Sequence, residues 1–218
     1  MKNELTVSEE APIASAKDGI YFNERGFARA MEAATFLATS DLVPGIYNAK
    51  MNKRGEKSAI ANCMIALSLS SQIDVDPLVV MQNVYVINGN PAMEAKLLIA
   101  LANASGIFKT DLNFSFEGEG DGVKCKCWAY KKSGELCEEW SSITMAKKEG
   151  WYGKRDSKWQ SLPRLMLKYR AASFFCKVYC PGLMFGMQTA EEASDIKEVS
   201  SEDNDFKKLK EALDEKKM

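Results

Sequence analysis

The sequence predicts an α+β fold in which a small antiparallel sheet packs with helices in a single core domain. Three observations carry this. Apolar residues recur every three or four positions in several separate stretches, as amphipathic helices require. Between residues 112 and 143 they alternate instead with polar, basic or aromatic side chains, the pattern of strands with one buried face. With 218 residues, 46% hydrophobic and 27% charged, the chain can bury one substantial core. The expected organisation is a flexible segment over residues 1–24, a core over 25–190 and an acidic tail with one weak helix over 191–218.

In chain order, residues 1–20 are polar and small, contain Pro12 and show no sustained period, which predicts a mobile lead-in. From Arg25, the residues Phe27, Ala30, Met31, Ala34 and Leu37 recur at helical spacing until Pro44-Gly45 breaks the pattern; Phe27, Met31 and Leu37 are expected in the core. A polar loop over 52–58 precedes a second helix with Ile60, Cys63, Met64 and Leu67 in phase, ending near Gln72. Asp76-Pro77 starts a short third helix reaching about Met81. Residues 83–94 read as a hairpin, with Val84 and Val86 alternating with Tyr85 and Ile87 and Asn88-Gly89 as its turn. Met93, Leu97, Leu101 and Ala104 then mark a helix stopped at Gly106.

The β region follows. Leu112, Phe114 and Phe116 form one alternating run, and Val123, Cys125, Cys127 and Ala129 alternate with Lys124, Lys126, Trp128 and Tyr130 after a glycine-rich turn. A third strand from about Leu136 to Ile143 completes a meander. Ser161 with Pro163 opens a long helix whose inward stripe is Leu165, Tyr169, Ala172, Cys176 and Tyr179, ended by Pro181-Gly182. In the tail, only Phe206, Leu209 and Leu213 keep helical phase.

Several function classes lose their usual tools. The chain has no histidine, hence neither the commonest general base nor the commonest zinc ligand. Its six cysteines are irregularly spaced and read as reduced thiols; Cys125 and Cys127 share one strand face and lack a matching second pair, which makes them structural rather than metal ligands. "RGEKS" lacks both glycines of a P-loop, because Met51 and Glu56 stand at those positions. No apolar run approaches the roughly 20 residues of a membrane span and residues 1–20 hold no apolar signal core, so the expected location is the cytoplasm, away from membranes. No catalytic residue, metal or cofactor is expected.

Charge is distributed unevenly. The formal net charge is -1, yet residues 142–180 hold nine bases against Glu149 and Asp156, a balance of +7, while residues 191–218 hold six bases against ten acids, a balance of -4. The basic stretch is interleaved with Trp151, Tyr152 and Trp159. Cations that neutralise phosphates beside rings that stack on bases suit single-stranded nucleic acid. The candidate phosphate contacts are Lys147, Lys148, Lys154, Arg155, Lys158, Arg164, Lys168, Arg170 and Lys177, with Lys96, Lys124 and Lys126 secondary. Arg164 with Lys168, and Arg170 with Lys177, sit one and two helical turns apart and are expected as two ridges flanking the apolar stripe. Trp159 is assigned to the core; Trp151 either stacks on a base or pins its loop. Trp128 and Tyr130 form a weaker stacking pair or lie under a neighbouring helix.

Four blocks, in order over residues 42–192, carry a resemblance to a known family: "LVPGIYNAK", "NCMIALSLSSQIDVDPLVVMQNVYVINGNPAMEAKLLIALANASGIF", "TMAKKEGWYGKRDSKWQSLPRLMLKYRAASFFCKVYCPGL" and "GMQTAEE". The most specific signal is Trp159, Pro163, Met166, Leu167, Tyr169, Arg170 and Ala171 behind "AKKEGW". The chain resembles the RecT family of phage single-strand annealing proteins, within the RecT/Redβ superfamily. The resemblance implies an α+β core around a basic DNA-binding groove, ATP-independent pairing of single-stranded DNA with its complement to give annealed duplex in homologous recombination, and homo-oligomers in the form of rings or helical filaments. It also implies a 5′-to-3′ exonuclease partner. The short acidic tail departs from relatives with a larger C-terminal module. The polar side of the first helix remains open as a protomer contact.

Two other readings compete. A nuclease would hold magnesium on carboxylates such as Asp74, Asp76 and Glu94, although Asp76 is better explained as a helix cap. A passive single-strand binder would need the same phosphate-lined groove without promoting annealing.

Overall fold

The computed structural model describes residues 24–87 and 89–195, in which helices and two small sheets pack as two compact units, one ending at Asn83 and the other beginning at Val84. The expected N-terminal segment up to residue 23, the weak helix of the tail and Asn88 of the hairpin turn lie outside the described residues.

The first unit holds α1 (Glu24–Leu37), α2 (Glu56–Ile73) and α3 (Pro77–Asn83). α1 packs on α2 through Ala30 and Ala34, one turn apart and followed by buried Ala38. Alanines permit close approach and leave the bulky neighbours at the flanks. Phe27 and Met31 are therefore exposed, at 40% and 38%, which corrects their expected place in the core. α2 begins earlier than its apolar pattern suggests, directly after Gly55 at φ +86°, and ends where Asp74 turns left-handed and donates its N–H to Ser70 O. The α1–α2 connection is organised by buried Asn48: its Oδ1 accepts the N–H groups of Lys50 (2.9 Å) and Met51 (3.1 Å), and its Nδ2 donates to Ser40 O (3.0 Å). Asp76 Oδ1 accepts the Leu78 N–H at 2.8 Å, as a helix-start residue should. No single helix among the described residues is long and apolar enough to cross a membrane.

In the second unit, β1 (Val84–Ile87) and β2 (Asn90–Met93) form the expected hairpin, with Gly89 left-handed at φ +78°. β2 also pairs in parallel with a two-residue β6 (Gln188–Thr189), which no local pattern announces. α4 (Ala95–Ala104) follows the hairpin. The meander then forms in order: β3 (Asn113–Glu117), β4 (Lys124–Tyr130) and β5 (Leu136–Ser142), all antiparallel, with Phe114 opposite Cys127 and Phe116 opposite Cys125. Alternation places Cys125, Cys127 and Ala129 on the buried face, and Lys124, Lys126, Trp128 and Tyr130 on the other. Burial, with smaller contributions from Cys125 and Cys180, pushes the Cys127 thiol far up, and burial raises Cys125 to about 11 against the pull of Lys168 and Arg164.

Three short helices precede or follow the long one: α5 (Ile143–Lys148), α6 (Lys158–Ser161) and, after α7 (Pro163–Tyr179), α8 (Ala190–Asp195). α7 covers the buried face of β4 and β5 and also packs on α4 and α8. Ser141 Oγ donates to Leu167 O at 2.7 Å, clamping strand to helix. Covered from several sides, α7 buries more than one stripe: Met166, Leu167, Arg170, Ala171, Ala172, Ser173, Phe175 and Cys176 are all buried. The expected phase is thereby corrected, because Leu165 is exposed and Tyr169 and Tyr179 are half-buried. Ser161 closes α6 instead of capping α7, and Pro163 takes the first helical position after Leu162.

Candidate nucleic-acid interface

The basic stretch is assembled from the end of the sheet outward. Ser142 Oγ accepts the Met145 N–H at 3.0 Å and caps α5, which puts Lys147 and Lys148 in its last turn. Gly150, at φ +76°, turns the chain into a loop over 149–157. The loop is stitched at its base by Ser157, whose Oγ donates to Trp151 O (2.8 Å) and accepts the Trp159 N–H (3.3 Å).

Sorting the candidate cations by their partners separates two sets. Seven are already engaged within the protein. Lys147 pairs with Asp121 (2.5 Å) and lies 5.1 Å from the Tyr152 ring centre, while Lys154 donates to Ser194 O at 2.8 Å. Lys177 reaches Glu192 at 2.8 Å and Lys96 reaches Glu94 at 2.5 Å. On the outer face of the sheet, Lys124 and Lys126 pair with Glu117 (2.9 Å) and Glu138 (3.2 Å) and both lie over Trp140, at 4.5 and 5.1 Å. Arg170 is 6% exposed and bonds to Asp195 and, at 3.5 Å, to Glu192.

Arg170 therefore leaves the list of surface contacts. It cannot reach a phosphate without breaking a buried pair, and with Lys177 it converges on Glu192 instead of forming an outward ridge. Its guanidinium carbon lies 3.8 Å from the centre of the Trp151 ring, which itself sits 5.6 Å from Trp159. Trp151 thus takes the anchoring role. Trp159, 1% exposed, donates its Nε1–H to Asp195 Oδ2 at 2.9 Å and is core, as assigned.

The second set comprises Lys148, Lys158, Arg164 and Lys168, which form no ion pair among the described residues. Arg155 joins them in effect: among the described residues its only ion-pair partner is its exposed neighbour Asp156, at 3.5 Å, and its own side chain is 96% exposed. Arg164 and Lys168, one turn apart, lean over β3, with Arg164 4.3 Å from the Phe116 ring centre and Lys168 5.8 Å from both Phe114 and Phe116. The rings hold the cations at the surface while leaving them without counter-charge.

Next to this set lies a cleft of about 660 Å³, walled by residues 154–158, the start of α7, the hairpin and α8. Lys154, Arg155, Lys158 and Lys96 line it, and so do Glu94, Asp156, Glu191 and Asp195, so its formal charge is balanced. Tyr85 donates to Glu94 Oε1 at 2.6 Å, and this bond, with burial, pushes the phenol up to about 12. Burial opposes ionisation of Glu94, but the bonds from Lys96 and Tyr85 outweigh it and hold the carboxyl below its ordinary value. Glu191 accepts the Ala95 N–H at 3.1 Å, yet burial raises it. Of the carboxylates considered for magnesium, Asp76 caps the start of α3 and Glu94 bonds Tyr85 and Lys96, while Asp74 ends α2 through its backbone N–H. No group of three histidine, cysteine or acidic side chains among the described residues could hold a metal.

Sequence reasoning missed the acids. The tail expected over residues 191–218 includes Glu192 and Asp195, whereas they belong to α8, buried at 4% and 9%, so the folded core extends to at least Asp195. Burial works against ionisation of Glu192, but the bond from Lys177 and the charges of Lys177 and Arg170 hold it below its usual range. A usable signal existed: Thr189-Ala-Glu-Glu192 fits a capping box, and Thr189 Oγ1 accepts the Glu192 N–H at 3.3 Å while Glu192 Oε2 accepts the Thr189 N–H at 3.4 Å.

Comparison with protein-family models, with curated proteins and with solved structures finds no match for this chain.

Proposed function

We propose that this chain is an ATP-independent single-stranded DNA annealing protein of the RecT kind. The observation that carries the proposal is the set of five cations, Lys148, Arg155, Lys158, Arg164 and Lys168, which among the described residues form no direct ion pair beyond that of Arg155 with its exposed neighbour Asp156, although Lys158 feels Glu94 and Glu191 across the cleft, in a unit whose other candidate cations are engaged. Unpaired charge of one sign held along a loop, α6 and the first turns of α7 suits a polyanion. Unpaired strands suit cations interleaved with aromatic rings better than duplex, whose base edges need a dedicated recognition element. The ordered blocks over residues 42–192 and the lack of a P-loop add to this reading. Annealing by such a protein consists of holding one strand extended and screening its repulsion for a second. Self-assembly on DNA, a cytoplasmic setting and an exonuclease that exposes the strand belong to the same proposal.

The test is the rate at which two complementary oligonucleotides pair with protein and without nucleotide. Acceleration over the spontaneous rate supports annealing. Binding without acceleration leaves a passive coat, and cleavage of labelled DNA with magnesium points to the nuclease.

A further inference from the structure

The tethers that hold the basic loop converge on one short helix. Within residues 192–195, α8 supplies Glu192 to Arg170 and Lys177, the Ser194 carbonyl to Lys154 Nζ, and Asp195 to both Arg170 and the Trp159 indole N–H. Arg170 passes the restraint on, because its guanidinium stacks at 3.8 Å on Trp151, and the Trp151 carbonyl is in turn bonded to Ser157 at the far end of the loop. Asp195 is the only acidic side chain among the described residues that touches both Trp159 and Arg170, and it is 9% exposed, so water competes poorly for either bond.

Resting on the DNA-binding reading above, we infer that Asp195 is a positioning residue for the basic loop: acting through Arg170 and Trp159, it fixes Trp151 and thereby sets where Arg155 and Lys158 meet the strand. Its effect on binding has a sign that simple electrostatics reverses. Asp195 is an acid lining a cleft beside the cations, so removing its charge should tighten DNA binding if charge alone mattered. If it positions the loop, removing it weakens binding.

The experiment compares wild type with Asp195→Asn in two measurements. Without DNA, limited trypsin digestion reads the loop directly through cleavage after Lys154, Arg155 and Lys158; the variant is expected to be nicked there several-fold faster while the rest of the chain resists as before. With a labelled single-stranded oligonucleotide, the variant is expected to bind about tenfold more weakly, with a salt slope smaller by about 1.4, the contribution of two phosphate contacts at about 0.7 each. Unchanged trypsin cleavage, or faster cleavage with equal or tighter DNA binding, overturns the inference. Should Asp195→Asn fail to fold, Trp151→Leu cuts the same tether from the loop side without stranding a buried charge, and the same outcomes decide. If wild type ignores single-stranded DNA altogether, the proposed function and the DNA role of Asp195 both fall, while the trypsin rates still decide whether Asp195 holds the loop.

Discussion

The division of the cations into engaged and unpaired sets predicts how DNA binding responds to salt. Each phosphate neutralised on a single strand contributes about 0.7 to the slope of log affinity against log salt. Five unpaired cations give a slope of about 3.5 per protomer, so raising salt from about 50 to about 200 mM weakens binding about a hundredfold. Removing Arg164 and Lys168 together, by Arg164→Ala with Lys168→Ala, should lower the slope to about 2.1 and cut the salt-induced loss to about twentyfold. The paired control is Lys124→Ala with Lys126→Ala. Those lysines already answer Glu117 and Glu138, so their loss releases few counterions and should leave the slope near the wild-type value. Fluorescence anisotropy of a labelled oligonucleotide across a salt series measures all three. Equal slope changes in the two double variants would refute the argument, since partner geometry would then say nothing about which cations meet phosphate.

Three further outcomes follow from the same structure. Arg170→Met strips Glu192 and Asp195 of a buried partner, which typically costs about 3–5 kcal/mol; because Glu192 keeps Lys177 and Asp195 keeps Trp159, the loss should sit near the lower end and lower the melting temperature by about 10 °C in calorimetry. Glu191 is raised by burial, so it favours folding below its unfolded value of about 4.3 and loses that favour as pH rises through the folded value; Glu191→Gln should therefore raise the melting temperature at pH 7, with the gap closing below about pH 4. Gly118→Ala should cost more than about 1 kcal/mol in urea unfolding, because φ is +81° there and the new Cβ would stand 2.3 Å from Gly122 O, whereas Gly120→Ala meets no atom within 4 Å and carries only the backbone strain.

The elements with strong period were legible. The meander, its apolar and basic faces, the hairpin around Gly89 and the Asp76-Pro77 helix start all follow from spacing that a half-buried strand or a capped helix imposes. What escaped notice depends on contacts between distant residues. β6 is two residues long and exists because β2 offers an edge, and α8, announced locally only by its capping box from Thr189 to Glu192, takes its role from the carboxylates it gives to Arg170. Composition also misassigned roles. Arg170 and Lys168 lie two residues apart on one helix, yet 100° per residue turns one into the core and leaves the other over Phe114 and Phe116. A count of +7 across residues 142–180 could not show that two of the nine bases are answered by acids assigned to the tail. Likewise, two alanines on α1 outweigh Phe27 and Met31 because close helix contact favours the smaller side chain.

The most direct test of the central claim is a contact map. Single-stranded DNA carrying a photoreactive base is crosslinked to the full chain, and the modified peptides are identified by mass spectrometry. The account predicts that they fall within residues 148–168, around Lys148, Arg155, Lys158, Arg164 and Lys168. Crosslinks confined to other segments, or none in dilute buffer, would contradict it.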